Sequence, residues 1–432
     1  MEKTRKKKAE SQGIPQALLP ILGLLVTVKT SLFDLVLSSG LKVLEVLLEQ
    51  EREELCGARY RHDPERKVTR AGYAAGELVL GGRLVSVKRP RARTTTGKEK
   101  GGKGQEVPLP SWGKFAEEDP LTARAVEQMV LGVATRKYER SLEPVPPGVK
   151  TRGTSKSAVS RRFVAATTEA LETWLKRKLS DLSLAVLMLD GIVCGEHTAL
   201  VALGIDEQGA KHILGVWEGA TENAVACQGL LSDLVERGLN TKRTMLVVID
   251  GSKSLAKAVR ATFGRRALIQ RCQVHKKRNV LEHLPEKARP SVASTLSTAY
   301  QCGDPTRALD ILNKLARQLE RKHPSAAASL REGLEETLTV LSFKLDNDAL
   351  KRTLVTTNPI ENLNSVIRRI QRNVKRWRDG TMVLRWVGVG LQEAAKGFRR
   401  LKGHTGMPKL LAALRAHDTR LDGALASQKK AA

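Results

Sequence analysis

Residues 184–217 have the sequence LAVLMLDGIVCGEHTALVALGIDEQGAKHILGVW, and residues 244–251 have the sequence TMLVVIDG. The first stretch contains an unbroken apolar run that ends at Asp190, followed by apolar runs over 198–205 and 211–217. Short apolar runs bounded by turn residues predict strands, and the last two runs, separated by DEQG, predict a hairpin. The second stretch predicts a fourth strand. These four strands decide the fold.

Helical patterns alternate with strands after the hairpin. We predict helices over 221–236 and 252–263 and a fifth strand over 267–272. The order strand, strand, strand, helix, strand, helix, strand predicts an α/β fold, a mixed sheet with helices on its faces. It is the order of the ribonuclease-H-like fold. Residues 280–343 are mainly helical and resemble an insertion, after which a marked helix over 356–372 rejoins the core.

The 432 residues allow two to four domains. Upstream of the core, residues 66–93 contain two short β runs around a Gly-Gly turn, and residues 94–105 have the Gly and Lys content of a mobile linker. We predict six regions: an N-terminal helical and β region with a basic linker (1–115), a DNA-binding region like a helix-turn-helix (116–180), the first part of the core (181–283), a helical insertion (284–350), the C-terminal helices of the core (351–402) and a tail (403–432).

The charge balance points to a polyanionic partner. Lys and Arg number 74 against 46 Asp and Glu, a formal charge of +28. Such an excess opposes a compact state by self-repulsion, so a chain with a pI near 10.1 indicates nucleic acid binding. The 41% hydrophobic content excludes a wholly disordered chain.

The cysteine content and the N-terminal apolar run indicate the cellular compartment of the protein. Five irregularly spaced cysteines do not form a disulfide framework, which favours a reducing compartment. The longest apolar run, residues 17–28, is shorter than the roughly 20 residues of a spanning helix. It contains Pro20 and follows a basic tail (1–8) that includes Glu2, so we predict a buried helix rather than a signal peptide. We expect a cytoplasmic protein associated with the nucleoid.

A helix pair precedes the core. One predicted helix ends before Pro144, and a second is capped by Thr154 or Ser155. Helix, turn and short basic helix is the layout of a helix-turn-helix reader of DNA. Near the start of the second helix lie three basic residues that we predict to contact DNA: Lys156, Arg161 and Arg162. The alternative is a solvated basic helix that packs on a neighbour.

Two carboxylates share one context. Asp190 and Asp250 each follow a buried strand and precede a glycine. Ligand and metal sites of α/β sheets lie at the carboxyl ends of strands. Two carboxylates on adjacent strands repel each other unless a cation lies between them. We therefore predict that Asp190 and Asp250 are catalytic metal ligands.

The third candidate is Glu361, within TNPIENLNSVIRRI (357–370). We predict Asn358 as the N-cap of this helix and Pro359 as its first residue, and on local grounds alone Glu361 is a capping-box glutamate. An apolar stripe predicts that the helix packs: Ile360, Leu363, Ile367 and Ile370. We assign to the opposite face one acidic residue and several side chains that can donate hydrogen bonds to phosphates: Glu361, Asn364, Ser365, Arg368 and Arg372.

Three carboxylates suit two Mg²⁺ ions, which prefer oxygen ligands and keep positions open for phosphate oxygens. Two such ions about 4 Å apart can activate the attacking oxygen and stabilise the leaving one in phosphoryl displacement. We predict Mg²⁺ as the cofactor, with Mn²⁺ able to substitute.

Several linked segments carry a resemblance to a known family. In chain order they are LDG (189–191), GVWEGATEN (215–223), VIDGS (248–252), QRCQVHKKRN (270–279) and TTNPIEN (356–362). They resemble the Mutator-type transposases of bacterial insertion sequences over about residues 60–415. The resemblance implies a DDE-class transposase with a ribonuclease-H-like core and a helical insertion before the final glutamate. It places the catalytic residues at Asp190, Asp250 and Glu361.

The segment CQVH (272–275) corresponds to the family's Cys-x₂-His element. Cys272 and His275 have the spacing of half a zinc site, and Cys194 and His197 have the same spacing, so a Cys₂His₂ site is one hypothesis. The other is a buried Cys272 with His275 capping or orienting a helix near the active site, where we also place Asn358 and Asn364.

Basic residues near the presumed site predict a DNA surface. Residues 365–402 contain eleven basic and two acidic residues, interleaved with Trp377, Trp386 and Phe398. We predict inward aromatics and phosphate contacts from Arg368, Arg369, Arg372, Lys375, Arg376 and Arg378. A second predicted cluster contains Lys276, Lys277 and Arg278, with Arg265, Arg266 and Arg271 beside it.

The sequence therefore predicts a DNA transposase. We expect it to bind terminal inverted repeats, to cleave DNA with Mg²⁺ and to transfer the 3′-OH to target DNA, as a homodimer or larger assembly on DNA. Two alternatives stay open: a nuclease without strand transfer, and an inactive DNA-binding protein or repressor derived from a transposase.

Overall fold

The computed structural model describes residues 39–61, 63–80, 82–95, 104–117, 120–143, 145, 149–219, 224–372 and 374–431. The predicted basic tail, the predicted helix over 17–28, most of the linker and the first residues of the helix predicted from 221 lie outside these ranges. The chain divides into two compact units, one formed by Met1–Met129 with Val133–Phe163 and the other by Val130–Gly132 with Val164–Ala432. The predicted boundaries at 115 and 180 do not coincide with this division.

The N-terminal unit is built around a small antiparallel sheet. Its elements are α1 (39–56), β1 (Val68–Leu80), β2 (Arg83–Thr94), β3 (Glu106–Val107), α2 (Pro110–Glu117), α3 (Pro120–Val130), β4 (Thr151–Arg152) and the start of α4 (Lys156–Leu175). The hairpin of β1 and β2 turns between Leu80 and Arg83, which confirms the β runs predicted around the Gly-Gly turn. Gly82 has a φ of 82°, and the Tyr138 hydroxyl donates to its carbonyl at 2.9 Å.

The helix-turn-helix prediction is wrong. A helix-turn-helix joins its helices by a tight turn of about three or four residues. Here α3 ends at Val130 and α4 begins at Lys156, and between them lie two short 3₁₀ turns and β4, which pairs with β2. Ser155 caps α4 by accepting a bond from the backbone N–H of Ala158 at 3.3 Å, so that part of the prediction is confirmed.

The C-terminal unit contains a mixed five-stranded sheet. Its strands are β5 (Leu184–Cys194), β6 (His197–Asp206), β7 (Lys211–Gly219), β8 (Met245–Ile249) and β9 (Ala267–Arg271). They are arranged in the order β7-β6-β5-β8-β9. The first three are antiparallel neighbours, whereas β8 runs parallel to both β5 and β9. The predicted strands and the α/β class are thereby confirmed.

Helices cover both faces of this sheet. Alternate residues of each strand point to opposite faces. One face packs on α5 (Ala224–Glu236) and α6 (Lys253–Phe263), through Leu187, Leu189 and Ile249 among others. The other face, with Val186, Met188 and Val248, packs on α13 (Asn358–Gln371), α14 (Gly380–Lys396) and α15 (Met407–Ala431). We call this second face the α13 face.

Helices alone connect β9 to α13. They are α7 (Gln273–Glu282), α8 (Arg289–Gln301), α9 (Pro305–Glu320), α10 (Pro324–Arg331), α11 (Thr339–Ser342) and α12 (Asp348–Leu354). They bury an apolar cluster of their own, which includes Val280, Leu296, Leu312 and Leu330. In the part of the chain that the structure describes, no helix has both the length and the apolar character to cross a membrane.

Close packing fixes α13 against α14. A Cβ atom added at Gly390 of α14 would lie 3.0 Å from the Cα of Ile367 on α13. Because that neighbour is backbone, it cannot yield by rotating. The glycine therefore lets the two helices approach, and their contact holds α13 against the sheet.

Candidate active site

Asp190 and Asp250 lie at matching positions of neighbouring strands. Leu189 of β5 pairs with Ile249 of β8 in parallel register, and each aspartate is the next residue along its chain. Adjacent strands are about 4.8 Å apart, so the two aspartates start close together. Since Met188 and Val248, two residues before each aspartate, lie on the α13 face, strand alternation places both carboxylates there too.

Two contacts fix the turn after β8. The Asp250 Oδ1 atom accepts the backbone N–H of Ser252 at 2.9 Å, and the Arg271 guanidinium donates to the carbonyl of Gly251 at 2.9 Å. Arg271 is itself buried, and its Nε donates to the carboxylate of Glu336 at 2.5 Å. Gly251 has a φ of 125°, a conformation that side chains disfavour. This turn therefore holds Asp250 in one place at the edge of the sheet.

The helix α13 brings Glu361 and Asn364 over the same face. Ile360, Leu363 and Ile367 pack into the core, as the apolar stripe predicts. Asn364 is fully buried, and its Nδ2 donates to Asp190 Oδ2 at 2.7 Å. Our assignment of Asn364 to the outward face of α13 is therefore wrong.

The start of α13 also differs from the prediction. Thr357, not Asn358, occupies the N-cap position, and Asn358 is exposed. The Thr357 hydroxyl donates to Glu361 Oε1, so this fully buried side chain holds the glutamate. The Glu361 side chain keeps 40% of its surface exposed. Thr357 therefore holds the Glu361 carboxylate, while part of the side chain remains accessible to solvent.

The electrostatics at Asp190 fit a cation. Burial, followed by the nearby carboxylate of Asp250, raises the pKa of Asp190 to about 7. Glu361 acts on Asp190 in the same direction. Asn364 Oδ1 is buried and has no hydrogen-bond partner among the residues that the structure describes. Mg²⁺ and Mn²⁺ bind oxygen ligands and neutralise clustered negative charge. Without a cation, the same carboxylates repel each other and the buried amide oxygen of Asn364 is unsatisfied.

We predict that Asp190→Asn stabilises the metal-free protein. In the wild type, the carboxyl group loses its proton near pH 3.8 when unfolded but only near pH 7 when folded, so stability falls as the pH rises through this range. In EDTA, we expect the variant to gain on the order of 1–3 kcal/mol in unfolding free energy, with a larger gain at pH 8 than at pH 5. Urea unfolding at both pH values measures this gain.

Asp310→Asn is the matched control for that measurement. Asp310 is exposed on α9, so its replacement should change the unfolding free energy by less than about 0.5 kcal/mol. A destabilised Asp190→Asn protein, or a gain that is the same at both pH values, would contradict the account of the Asp190 environment.

Cys272 and His275 lie beside Glu361. Together the three residues form a group whose ligand atoms all lie within 4.8 Å of one another. Burial alone would raise the pKa of the Cys272 thiol, but hydrogen bonds with His275 and Thr357 outweigh it and lower that pKa. The bond with Cys272 raises the pKa of His275. Each of the two groups therefore stabilises the charged form of the other.

The hypothesis of a Cys₂His₂ zinc site is wrong. Cys194 lies in the core beside Gln371, with Sγ 3.5 Å from Oε1, and His197 Nδ1 lies 2.5 Å from Glu218 Oε1. Neither residue belongs to the group formed by Cys272, His275 and Glu361.

Most of the predicted DNA-contacting residues lie at the surface. The exposed ones are Lys156, Arg161, Arg278, Arg368, Arg369, Arg372, Lys375, Arg376 and Arg378. Arg162 is half-buried and donates to the Thr122 hydroxyl at 3.2 Å, and half-buried Lys277 donates to the Ser297 hydroxyl at 2.7 Å. Trp377, Trp386 and Phe398 pack inward, as predicted.

Lys276 does not belong to a DNA surface. It is buried, and its Nζ donates to the carbonyls of Ser329 and Glu332 at 2.6 Å each. Burial lowers its pKa to about 8. Arg271 is buried as well, and Arg266 is paired with Asp418 at 2.5 Å. Of the second basic cluster, Lys276 and Arg271 are therefore internal, whereas Arg265 and Arg278 are exposed.

Thr357 and Arg271 are residues whose positioning role the sequence did not reveal. Thr357 precedes the helix like any capping residue, and Arg271 follows a strand within a run of basic residues. Thr357 lies only four residues before its partner Glu361. The partners of Arg271 are Gly251 and Glu336, which lie 20 and 65 residues away along the chain. The contacts of Arg271 therefore form only in the folded structure, whereas the spacing of Thr357 and Glu361 is a signal that the sequence does carry.

Comparisons with known proteins agree in pointing to one family. Residues 25–400 match the family model described as "Transposase, Mutator family". The chain is 28% identical over 366 residues to the transposase for insertion sequence element IS256 in transposon Tn4001 of Staphylococcus aureus, covering 81% of this chain and 87% of that protein.

Two further relatives are similar over comparable lengths. The transposase for insertion sequence element IS1081 of Mycobacterium tuberculosis is 28% identical over 365 residues, covering 81% of this chain and 82% of the relative. The transposase for insertion sequence element ISRM5 of Rhizobium meliloti is 30% identical over 359 residues, covering 79% and 85%.

Proposed function

Because the chain belongs to the Mutator family of transposases, we propose that it cleaves DNA at the ends of a mobile element and joins the freed 3′-OH to target DNA. The observation that carries this proposal is the placement of Asp190 and Asp250 on neighbouring strands, with α13 presenting Glu361 over the same face. We propose that the sheet in the order β7-β6-β5-β8-β9 is a ribonuclease-H-like core and that α8–α12 are its helical insertion.

In this proposal Asp190, Asp250 and Glu361 hold two divalent ions, Mg²⁺ or Mn²⁺. The bound ions supply charge that activates the attacking oxygen and stabilises the leaving one. Asn364 orients Asp190 through its 2.7 Å hydrogen bond, and Thr357 fixes the Glu361 carboxylate. The chain's main contributions are thus to position the carboxylates and to hold the phosphodiester in line with the attacking oxygen.

The DNA duplex would lie along exposed basic residues next to the site. Arg368 and Arg369 are exposed on α13, the helix that carries Glu361, and Arg372 is exposed directly after it. Phosphate contacts of this kind position a duplex without reading its sequence. We assign recognition of the terminal inverted repeats to the N-terminal unit, where Lys88, Lys156 and Arg161 are exposed. Two ends must meet in one reaction, so we propose a dimer or larger assembly on DNA.

A cleavage and joining assay tests this function. It uses the purified full-length protein, a labelled duplex carrying the element's flanking inverted repeat, and Mg²⁺ or EDTA. We expect nicked and joined products with Mg²⁺ and neither in EDTA. Cleavage without joining would favour a nuclease, and specific binding without cleavage under any divalent ion would favour an inactive DNA-binding protein.

A further inference from the structure

Three side chains of different chemistry converge beside the carboxylates. Cys272 immediately precedes α7, His275 lies in the first turn of α7, and Glu361 lies in the first turn of α13. The backbone N–H of Cys272 donates to Ile249 at 2.8 Å, and that of Gln273 donates to Val355 at 3.0 Å. These backbone bonds tie α7 both to β8 and to the segment before α13. The convergence is therefore built into the main chain.

The geometry is close to that of a metal site. All three ligand atoms lie within 4.8 Å of one another, and His275 Nε2 is 3.8 Å from Glu361 Oε1. Around a tetrahedral Zn²⁺, ligand atoms lie roughly 3.5 Å apart, given bonds of about 2.0–2.3 Å. Binding would require the ligand atoms to approach one another by roughly 1 Å. Three protein ligands leave the fourth position of a tetrahedral ion for water or another ligand.

The donor set selects a different ion from the catalytic one. Asp190 and Asp250 offer only oxygen, which suits Mg²⁺, whereas a thiolate and an imidazole favour softer ions such as Zn²⁺ or Co²⁺. Cys272 is fully buried and hydrogen-bonded to His275, so it is held facing this group rather than solvent. Glu361 is the one residue shared by both ligand sets.

We propose that Cys272, His275 and Glu361 bind one Zn²⁺ ion, and that this ion inhibits the enzyme by withholding Glu361 from the catalytic site. The proposal that these residues bind Zn²⁺ rests on the geometry of the three side chains. The inhibitory half rests on the proposed function, in which Glu361 is a ligand of the catalytic ions.

Cobalt binding tests the first half without any activity measurement. Co²⁺ titrated into the metal-free full-length protein should give a near-ultraviolet thiolate-to-cobalt charge-transfer band that saturates at one ion per chain and disappears when Zn²⁺ is added. We expect Cys272→Ser to abolish the band. Cys302→Ser is the matched control, because Cys302 is half-exposed outside this group and its loss should leave the band intact.

A second variant keeps the test valid if Cys272→Ser does not fold. His275→Gln keeps the thiol and should weaken Co²⁺ binding at least about tenfold, with both variants checked by thermal melting. No band at stoichiometric Co²⁺ in the wild type, or a band that persists in a folded Cys272→Ser protein, would overturn the site. Cys272 and His275 would then be a hydrogen-bonded pair only.

The second half is tested by zinc inhibition of cleavage in excess Mg²⁺. We expect Zn²⁺ to inhibit the wild type, a chelator selective for Zn²⁺ to reverse the inhibition, and Cys272→Ser to raise the half-inhibitory Zn²⁺ concentration at least about tenfold. Equal inhibition of both proteins would overturn the inhibitory role. A wild type with the cobalt band but no cleavage in Mg²⁺ alone would instead count against the proposed function.

Discussion

Glu361→Gln is expected to lower the rate of strand cleavage at least about 10³-fold while leaving DNA affinity within a few-fold. A carboxylate that neutralises a catalytic ion contributes several kcal/mol to transition-state stabilisation, and each 1.36 kcal/mol corresponds to a factor of about ten. Gln has the same shape and still accepts the hydrogen bond from Thr357, so the helix should remain in place. Single-turnover cleavage and a binding titration on one labelled duplex measure the two quantities.

Asp190→Asn and Asp250→Asn should behave in the same way. Glu169→Gln is the control, because Glu169 is exposed on α4. If any one of the three site variants cleaves at a rate near that of the wild type, that residue does not belong to the catalytic site. Loss of DNA binding together with cleavage would point to a structural role instead.

Replacing Arg368, Arg369 and Arg372 together by Ala should weaken DNA binding strongly. All three are exposed, and within the described residues no carboxylate forms an ion pair with them. Each phosphate contact adds about 0.9 to the slope of log affinity against log salt, so the slope should fall by about 2–3. At low salt, we expect the affinity for any duplex sequence to fall roughly 10²–10³-fold. Fluorescence anisotropy over a salt series gives both values.

The control for this variant carries the same change in net charge elsewhere. Lys314, Arg317 and Arg321 lie along α9 or just after it and are exposed. Their replacement by Ala should change the salt slope by less than one. Equal losses from both triple variants would mean that DNA affinity follows the overall charge of the chain rather than the surface of α13.

The strands of the C-terminal unit could be predicted because their apolar runs are buried on both faces and end at turn residues. Leu184–Leu189 and Met245–Ile249 are fully buried segments of this kind. The juxtaposition of Asp190 and Asp250 then follows from parallel pairing. Residues that act through distant partners could not be predicted in the same way.

Asn364 and Lys276 show why residue type misled the prediction. Asn364 lies four residues after Ile360 and three before Ile367, so helical periodicity puts it with the buried stripe despite its polarity. Lys276 lies four residues after Cys272 and four before Val280, both fully buried. Its charge is accommodated by carbonyls at the end of α10, a contact that local sequence does not encode.

The helix-turn-helix prediction failed for a similar reason. Thr151 and Arg152 have no strand pattern of their own, and they form β4 only because β2 offers an edge. A two-residue strand depends on its partner and not on its own composition.

A change in metal preference tests the central claim, that the carboxylates hold the catalytic ion, most directly. Asp250→Cys replaces a hard oxygen ligand by a thiolate, which Mn²⁺ accepts more readily than Mg²⁺. We predict that this variant is inactive in cleavage with Mg²⁺ and regains activity with Mn²⁺, whereas Asp250→Ala is rescued by neither ion. Wild-type cleavage by Asp250→Cys in Mg²⁺, or equal inactivity of both variants in Mn²⁺, would contradict the assignment of Asp250 as a metal ligand.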